Sequence, residues 1–429
     1  MTATAAPSGP TSAPQVGGPD GGSRDLRAAF SALQIPVFRW WFAGQVLSGS
    51  GNMTQGVASA WLVLRLSGSG VALGGVTACM FAPLLFGGVW AGVLVDRFDR
   101  RRVLALTQTC FLVISAALGA LTAFGLIELW MVFAGALLGG CVNAVDQPAR
   151  QVYVLDLVGR ERTANAISLN EVVINASRIL GPAAGGALLA TTGVAGCFLF
   201  NAGTFVLPLG VLWRFRPAEH VATLPRRRGA AREGLRYAWG QPAIRGSLLM
   251  AAASGMLFNL GVALPLVATR VFHLGGSGYA LMMGAFGVGA VCGALFAATG
   301  SSYPSGRSVR LLAVASGIVV IATAASPDIG AELAGLALCG FSSIWFIARA
   351  NTFVQLLAPP PMRGRVMGAW TMALPGANPL TALLAGLVAQ EVGAREGFAL
   401  AGVALILTAG IAWRALADTR PTAACPAEV

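Results

Sequence analysis

Glu171, Asn175 and Arg178 stand at i, i+4 and i+7, which sets an acid, an amide and a base along one helical face. They fall inside an apolar run, where an ionisable group is costly and is a functional candidate by default. One reading is a polar stripe lining a cavity, with Glu171 as the proton-responsive residue; the other is an ion pair joining two helices. Asp146 and Arg150 form an i, i+4 pair in the favourable acid-before-base order, which reads as a gate or structural pair. Gln45, Asn52 and Gln55 add neutral polar groups to the first apolar run, and Arg349 adds a base near the end of a later one. These residues can contact a ligand or move a proton. No nucleophile–base set, metal cluster or Gly-x-x-x-x-Gly-Lys phosphate loop accompanies them, so the chain does not read as an enzyme, and neither cofactor nor metal is expected.

The elements that would carry these residues are set by composition. Of 429 residues, 56% are hydrophobic and only 11% charged, where a soluble domain carries about a quarter charged residues. All 29 basic residues are arginine, and the net charge of +12 resides in short loops between apolar runs. That distribution fits membrane loops and argues against nucleic-acid binding. Six of the seven cysteines lie inside apolar runs and read as small packing residues. The arginine-only, Ala- and Gly-rich composition suggests a bacterium.

A helix needs roughly 20 apolar residues to cross the hydrocarbon. Spans are expected near 40–64, 72–95, 103–125, 129–149, 165–190 and 194–213, then 246–271, 279–300, 309–325, 331–356, 366–389 and 398–416. Arginine-rich loops alternate with loops holding acids such as Glu128, Asp328, Glu332, Glu391 and Glu396. This bias predicts a bacterial inner-membrane protein with both termini in the cytoplasm. The expected organisation is a disordered tail (1–35), a six-helix half (36–213), a basic linker (214–245), a second six-helix half (246–416) and a tail (417–429). The linker's Arg226, Arg227, Arg228 and Arg232 would be drawn to anionic lipid.

After the second span the chain reads Gly92-Val93-Leu94-Val95-Asp96-Arg97-Phe98-Asp99-Arg100-Arg101-Arg102. This resembles the G-x-L-x-D-R-x-G-R-R-x loop of the major facilitator superfamily, with Asp99 where that family usually has glycine. The stretch Asp146-Gln147-Pro148-Ala149-Arg150, followed by Gly181-Pro182 and Gly185-Gly186, is similar to the branch holding the enterobactin exporter and the macrolide efflux proteins. The resemblance implies an all-α membrane fold of twelve helices in two pseudo-symmetric halves. It makes Gly92, Asp96, Arg97, Arg100, Arg101, Asp146 and Arg150 gate residues, and Gly181, Pro182, Gly185 and Gly186 helix-packing positions. It also implies an antiporter that exports a drug, antibiotic or siderophore-like molecule, with a proton as the coupling partner. Relatives often carry an acid after the glycine of the first helix, but here Gly51 is followed by Asn52, which leaves Glu171 as the candidate. Trp61, Phe81, Phe86, Phe258, Trp345, Phe346 and Trp370 could line an apolar pocket or simply pack. The rival readings are uptake or flipping of a nutrient or lipid on the same fold, and a membrane sensor or scaffold without flux.

Overall fold

The computed structural model describes residues 31–159, 163–215, 230–299, 304–359, 362–374, 376–417 and 419. Within the helices, side chains at 85–97, 171, 175 and 178, among others, lie outside that description. The described chain is predominantly helical, with no strand among those residues. The first half comprises α1 (Pro36–Ser67), α2 (Gly70–Arg97), α3 (Arg100–Ala123), α4 (Leu129–Val158) and α5 (Thr163–Thr191). It closes with α6 (Gly193–Thr204) and α7 (Val206–Arg214), which follow one another as a single run. A short helix, α8 (Ala230–Gly240), precedes the second half. That half contains α9 (Pro242–Gly255), α10 (Leu260–Leu266), α11 (Gly276–Thr299), α12 (Gly306–Ala324), α13 (Ile329–Leu357), α14 (Arg363–Ala373), α15 (Asn378–Glu391) and α16 (Ala394–Ile411).

Local signals place several boundaries. Pro36 opens α1, where a missing N–H costs nothing, and Gly68 closes it at φ 61°, a left-handed cap that glycine adopts freely. Ser69 caps α2 by accepting from the Ala72 N–H. Asp99 caps α3 by accepting from the Arg101 N–H, so the residue that departs from the family loop supplies an N-cap. Ser305 and Ser308 form a reciprocal box at the start of α12, and Asp328 caps α13.

Among the described residues, eight helical runs are long and apolar enough to cross a membrane. Two further apolar stretches, Gly70–Leu84 and Leu180–Thr191, are shorter. α1 has the length but is diluted by Gln45, Ser48, Ser50, Asn52, Thr54 and Gln55. The seventh run begins at Pro242 rather than at 246, and the stretch expected to be a plain polar linker holds α8.

Two runs of the second half are broken. A 3-10 turn, Met256–Phe258, separates α9 from α10, and α14 ends at Ala373 before α15 begins at Asn378. The breaks face one another: a Cβ on Gly255 would lie 2.7 Å from the Leu374 carbonyl oxygen. Elsewhere helices cross on small residues, since lipid gives little hydrophobic drive for helix association. Gly289 and Gly293 of α11 abut the Ala337 and Phe341 carbonyls of α13, and Gly340 abuts that of Phe286.

Candidate functional site

The end of the bundle carrying the α1–α2 turn is here the upper end, and the opposite end the lower. At the lower end the arginines opening α3 are held inside the first half. Arg100 donates from Nη1 to Asp156 Oδ1 and Oδ2 at 2.8 and 2.9 Å, and Asp156 is buried on α4. Arg101 donates from Nε to the Leu212 carbonyl and from Nη2 to that of Trp213 at 3.1 Å. These are among the last carbonyls of α7, which lack partners within the helix and carry its negative dipole end. Arg102 lies 4.0 Å from Asp99 and is 88% exposed, so that pair contributes little. Asp156 was not singled out from sequence; an acid near the end of the span beside a loop arginine was its only signal.

Asp146 is fully buried on α4 and is ion-paired with Arg150. It also accepts from Thr107 Oγ1 at 2.7 Å and Gln108 Nε2 at 2.9 Å, so the pair ties α4 to α3. Trp41 meets Tyr153 edge-on, with ring centroids 5.0 Å apart, and joins α1 to the same lower core. The described side chains of the expected gate set, Arg100, Arg101, Asp146 and Arg150, therefore brace one half internally. Gly92 lies on α2, and the side chains of Asp96 and Arg97 are outside the described residues.

Of the cavity candidates, Asn52 and Gln55 enter a neutral network that joins three helices. Asn201 Nδ2 donates to Gln55 Oε1 at 2.8 Å, to Ser115 Oγ at 3.1 Å and to Asn52 Oδ1 at 3.3 Å. Ser115 Oγ donates to Gln55 Oε1 at 2.7 Å, and Thr204 Oγ1 donates to the Asn201 carbonyl at 2.6 Å. Asn201 and Ser115 are buried on α6 and α3. Sequence reading missed both because each is a lone small polar residue in an apolar run. Interhelical hydrogen bonds in membranes contribute about 0.6–2 kcal/mol. Asn201→Leu, which removes the shared donor, is expected to lower stability by about 1–2 kcal/mol, read as a lower unfolding midpoint in detergent. An unchanged midpoint would show that the network contributes nothing.

Gln45 is 2% exposed, and neither of its amide atoms has a partner. Such a group is an exception that calls for a ligand, water or motion to explain it. Arg349 is half-buried on α13. Glu171, Asn175 and Arg178 lie on α5, with side chains outside the described residues.

The second half offers a matching polar point at its paired breaks. Asn259 Nδ2 donates to Thr381 Oγ1 at 2.9 Å, and Asn378, 8% exposed at the start of α15, has an unpartnered Oδ1. Broken helices within a membrane bundle free backbone groups where they line a cavity, and so mark candidate binding positions.

The two halves meet at the upper end through small residues, aromatic rings and hydrogen bonds, with no acid–base pair among the described contacts. A Cβ on Gly74 would lie 2.6 Å from the Ala382 carbonyl oxygen and 3.0 Å from Leu383 Cα, across α2 and α15. Gly186 approaches Ala280 of α11, while Gly181 and Gly185 of the same helix pack on α1 at Met53 and Thr54. Pro182 is buried beside them. Thr54 Oγ1 donates to the Gly181 carbonyl at 2.9 Å. Trp61 stacks on Tyr279 with centroids 6.1 Å apart, Ser69 Oγ donates to Gln390 Oε1 at 2.7 Å, and Arg270 donates to the Gly68 carbonyl at 2.8 Å.

The aromatic residues serve mainly packing. Phe346 and Trp370 are core, and Trp345 clusters with Phe296 and Phe341. The side chains of Phe86 and Phe258 are outside the described residues. Glu332, expected in a loop, is instead in the first turn of α13 and 2% exposed, against Ser326 and Arg395. The Asp328 cap draws it into the helix. Among the described residues there is no cluster of metal-ligating side chains.

This architecture has well-characterised counterparts. The structure of a bacterial homologue of the human lysosomal transporter Spinster, inward-facing and occupied, superposes with a TM-score of 0.69 at 13% identity, covering 90% of this chain and 97% of that one. A D-xylose–proton symporter gives 0.69 at 15% identity, covering 91% and 99%. These likenesses show the fold. In sequence, the multidrug efflux pump Tap of Mycolicibacterium fortuitum is 30% identical over 381 residues, which is 85% of this chain and 92% of that protein. The enterobactin exporter EntS of Salmonella typhimurium is 30% identical over 406 residues, covering 87% and 92%. The profile of the transmembrane secretion effector family matches residues 27–424. A multi-pass helical bundle, two halves meeting at one end and this match together make the chain a membrane transporter rather than an enzyme, and it belongs to the transmembrane secretion effector family of the major facilitator superfamily.

Proposed function

We propose that this protein exports an amphipathic small molecule, such as a drug, antibiotic or siderophore-like metabolite, by alternating access coupled to proton antiport. In this reading twelve crossings form two six-span halves, the membrane is the bacterial inner membrane, and the lower end with both termini faces the cytoplasm. The observation that carries it is the neutral contact between halves at the upper end, where Gly74 meets Ala382 and Trp61 meets Tyr279. A carrier that rocks between two states needs a closure that can be made and broken at low cost. Neutral small-residue contacts supply that, while the charge pairs brace the lower part of the first half. Polar groups without partners, at Gln45 and Asn378, give a ligand of mixed polarity places to bond. The similarity to a multidrug efflux pump and an enterobactin exporter supports the substrate class.

Expression in an efflux-deficient bacterium tests this directly. Lower accumulation of amphipathic dyes, restored by a protonophore, is the expected result. Unchanged accumulation across a panel of dyes, antibiotics and siderophores would sink the export reading, and inward accumulation would favour uptake. Glu171 is proposed as the proton-responsive group, because it is the acid placed well inside a span by the sequence. Glu171→Gln in inverted vesicles is expected to preserve substrate exchange while abolishing accumulation driven by an imposed pH gradient. Undiminished gradient-driven accumulation would end that assignment.

A further inference from the structure

α8 presents two different faces. Ala238 is fully buried and Tyr237 half-buried on the side where α8 packs against α14 and α9. Leu235 and Trp239, one turn apart on another side, are 44% and 53% exposed. No described element covers them. Arg236 and Arg245 are exposed on α8 and the first turn of α9, and Arg363 is exposed at the start of α14. The only acid on α8 is Glu233, and it is engaged with Arg365 of α14 at 2.8 Å.

An exposed Leu/Trp pair flanked by arginines is the pattern of a helix lying in a bilayer interface: the apolar groups reach the acyl boundary and the guanidinium groups stay among headgroups. Position supports this, because α8 leads through Gly240 and Gln241 directly into α9, the start of a membrane run. The positive surroundings specify anionic headgroups, which attract each basic residue at the surface by roughly five-fold in binding. The second face decides the consequence. α14 is the lower segment of a broken run, and α8 is packed against it. The Glu233–Arg365 pair is half-exposed and weak by itself; it fixes how the two helices register.

We propose that α8 binds the anionic lipid surface through Leu235, Trp239 and Arg236, and that this docking holds α14 in place through the Ala238 contact and the Glu233–Arg365 pair. The effect of α14 on transport rests on the alternating-access reading; the docking itself does not. Hydrogen–deuterium exchange of the full-length protein separates the two, because it requires no substrate. In nanodiscs of phosphatidylcholine with phosphatidylglycerol, amides of α8 and the first turns of α14 should exchange several-fold more slowly than in phosphatidylcholine alone. Leu235→Ala with Trp239→Ala should erase that lipid difference while the spans exchange as in wild type, since both side chains are exposed. Glu233→Gln should leave α8 protected by anionic lipid but reduce the protection passed to α14. Equal α8 exchange in both lipids would overturn the docking, and an α14 that fails to follow α8 would overturn the mooring.

Discussion

Asp146→Ala should destabilise the first half by about 3–5 kcal/mol, the usual effect of removing one partner from a buried ion pair. The carboxylate is fully buried, and the Arg150 side chain is only 21% exposed, so water can replace only part of what is lost. Gln108 Nε2 loses its acceptor in the same step, while Thr107 keeps the Leu104 carbonyl at 3.0 Å. The measurement is the unfolding midpoint and the monodisperse yield in detergent. Asp146→Asn, which keeps an acceptor for Thr107, should fall between wild type and alanine. Adding Arg150→Leu to the alanine variant should recover part of the loss, because the damage is an unpaired charge more than a missing attraction. A single variant as stable as wild type would mean that Arg150 reaches solvent freely.

Gly74→Leu should leave folding nearly intact and reduce transport by at least about ten-fold, a barrier of roughly 1.4 kcal/mol or more. The glycine belongs to α2, but the atoms a side chain would strike belong to α15 in the other half. Its effect should therefore fall on the closing of the upper end rather than on assembly of the first half. Gly139→Leu on α4 is the control, because nothing lies within 4 Å of the Cβ it would add. Normal transport by the Gly74 variant would show that this contact is not remade during turnover.

Much of the fold is legible in the sequence because membrane spans announce themselves by length and polarity, and the ordered Gly92–Arg102 segment marks the loop. The side-chain partners are less legible. Arg100 and Arg101 are visible, yet their targets are an acid on α4 and two backbone carbonyls of α7, and no spacing rule links a side chain to a distant carbonyl. Ser115 and Asn201 matter through each other and through Gln55 and Asn52 on α1. The break at Met256–Phe258 contains no proline, so helix propensity gives little warning; the turn packs against α15 and α16, which a sequence pattern does not reveal. α8 was hidden because two apolar residues among arginines look like a solvated linker until their exposure and the buried Ala238 are seen together.

The upper closure has a consequence for the surroundings in which this carrier can work. Its contacts between halves are van der Waals approaches, a ring stack and hydrogen bonds to neutral acceptors. The ion pairs named above lie elsewhere, toward the lower end. Dissolved ions screen attraction between charges but act little on such contacts, even at 1 M, where the screening length shrinks to about 3 Å. The Arg270 bond to the Gly68 carbonyl is the one charged contact among those named. In the proposed orientation, leak through the closed upper face should therefore differ little between fresh water and brine, and a cell changing habitat would hardly need to retune this seal.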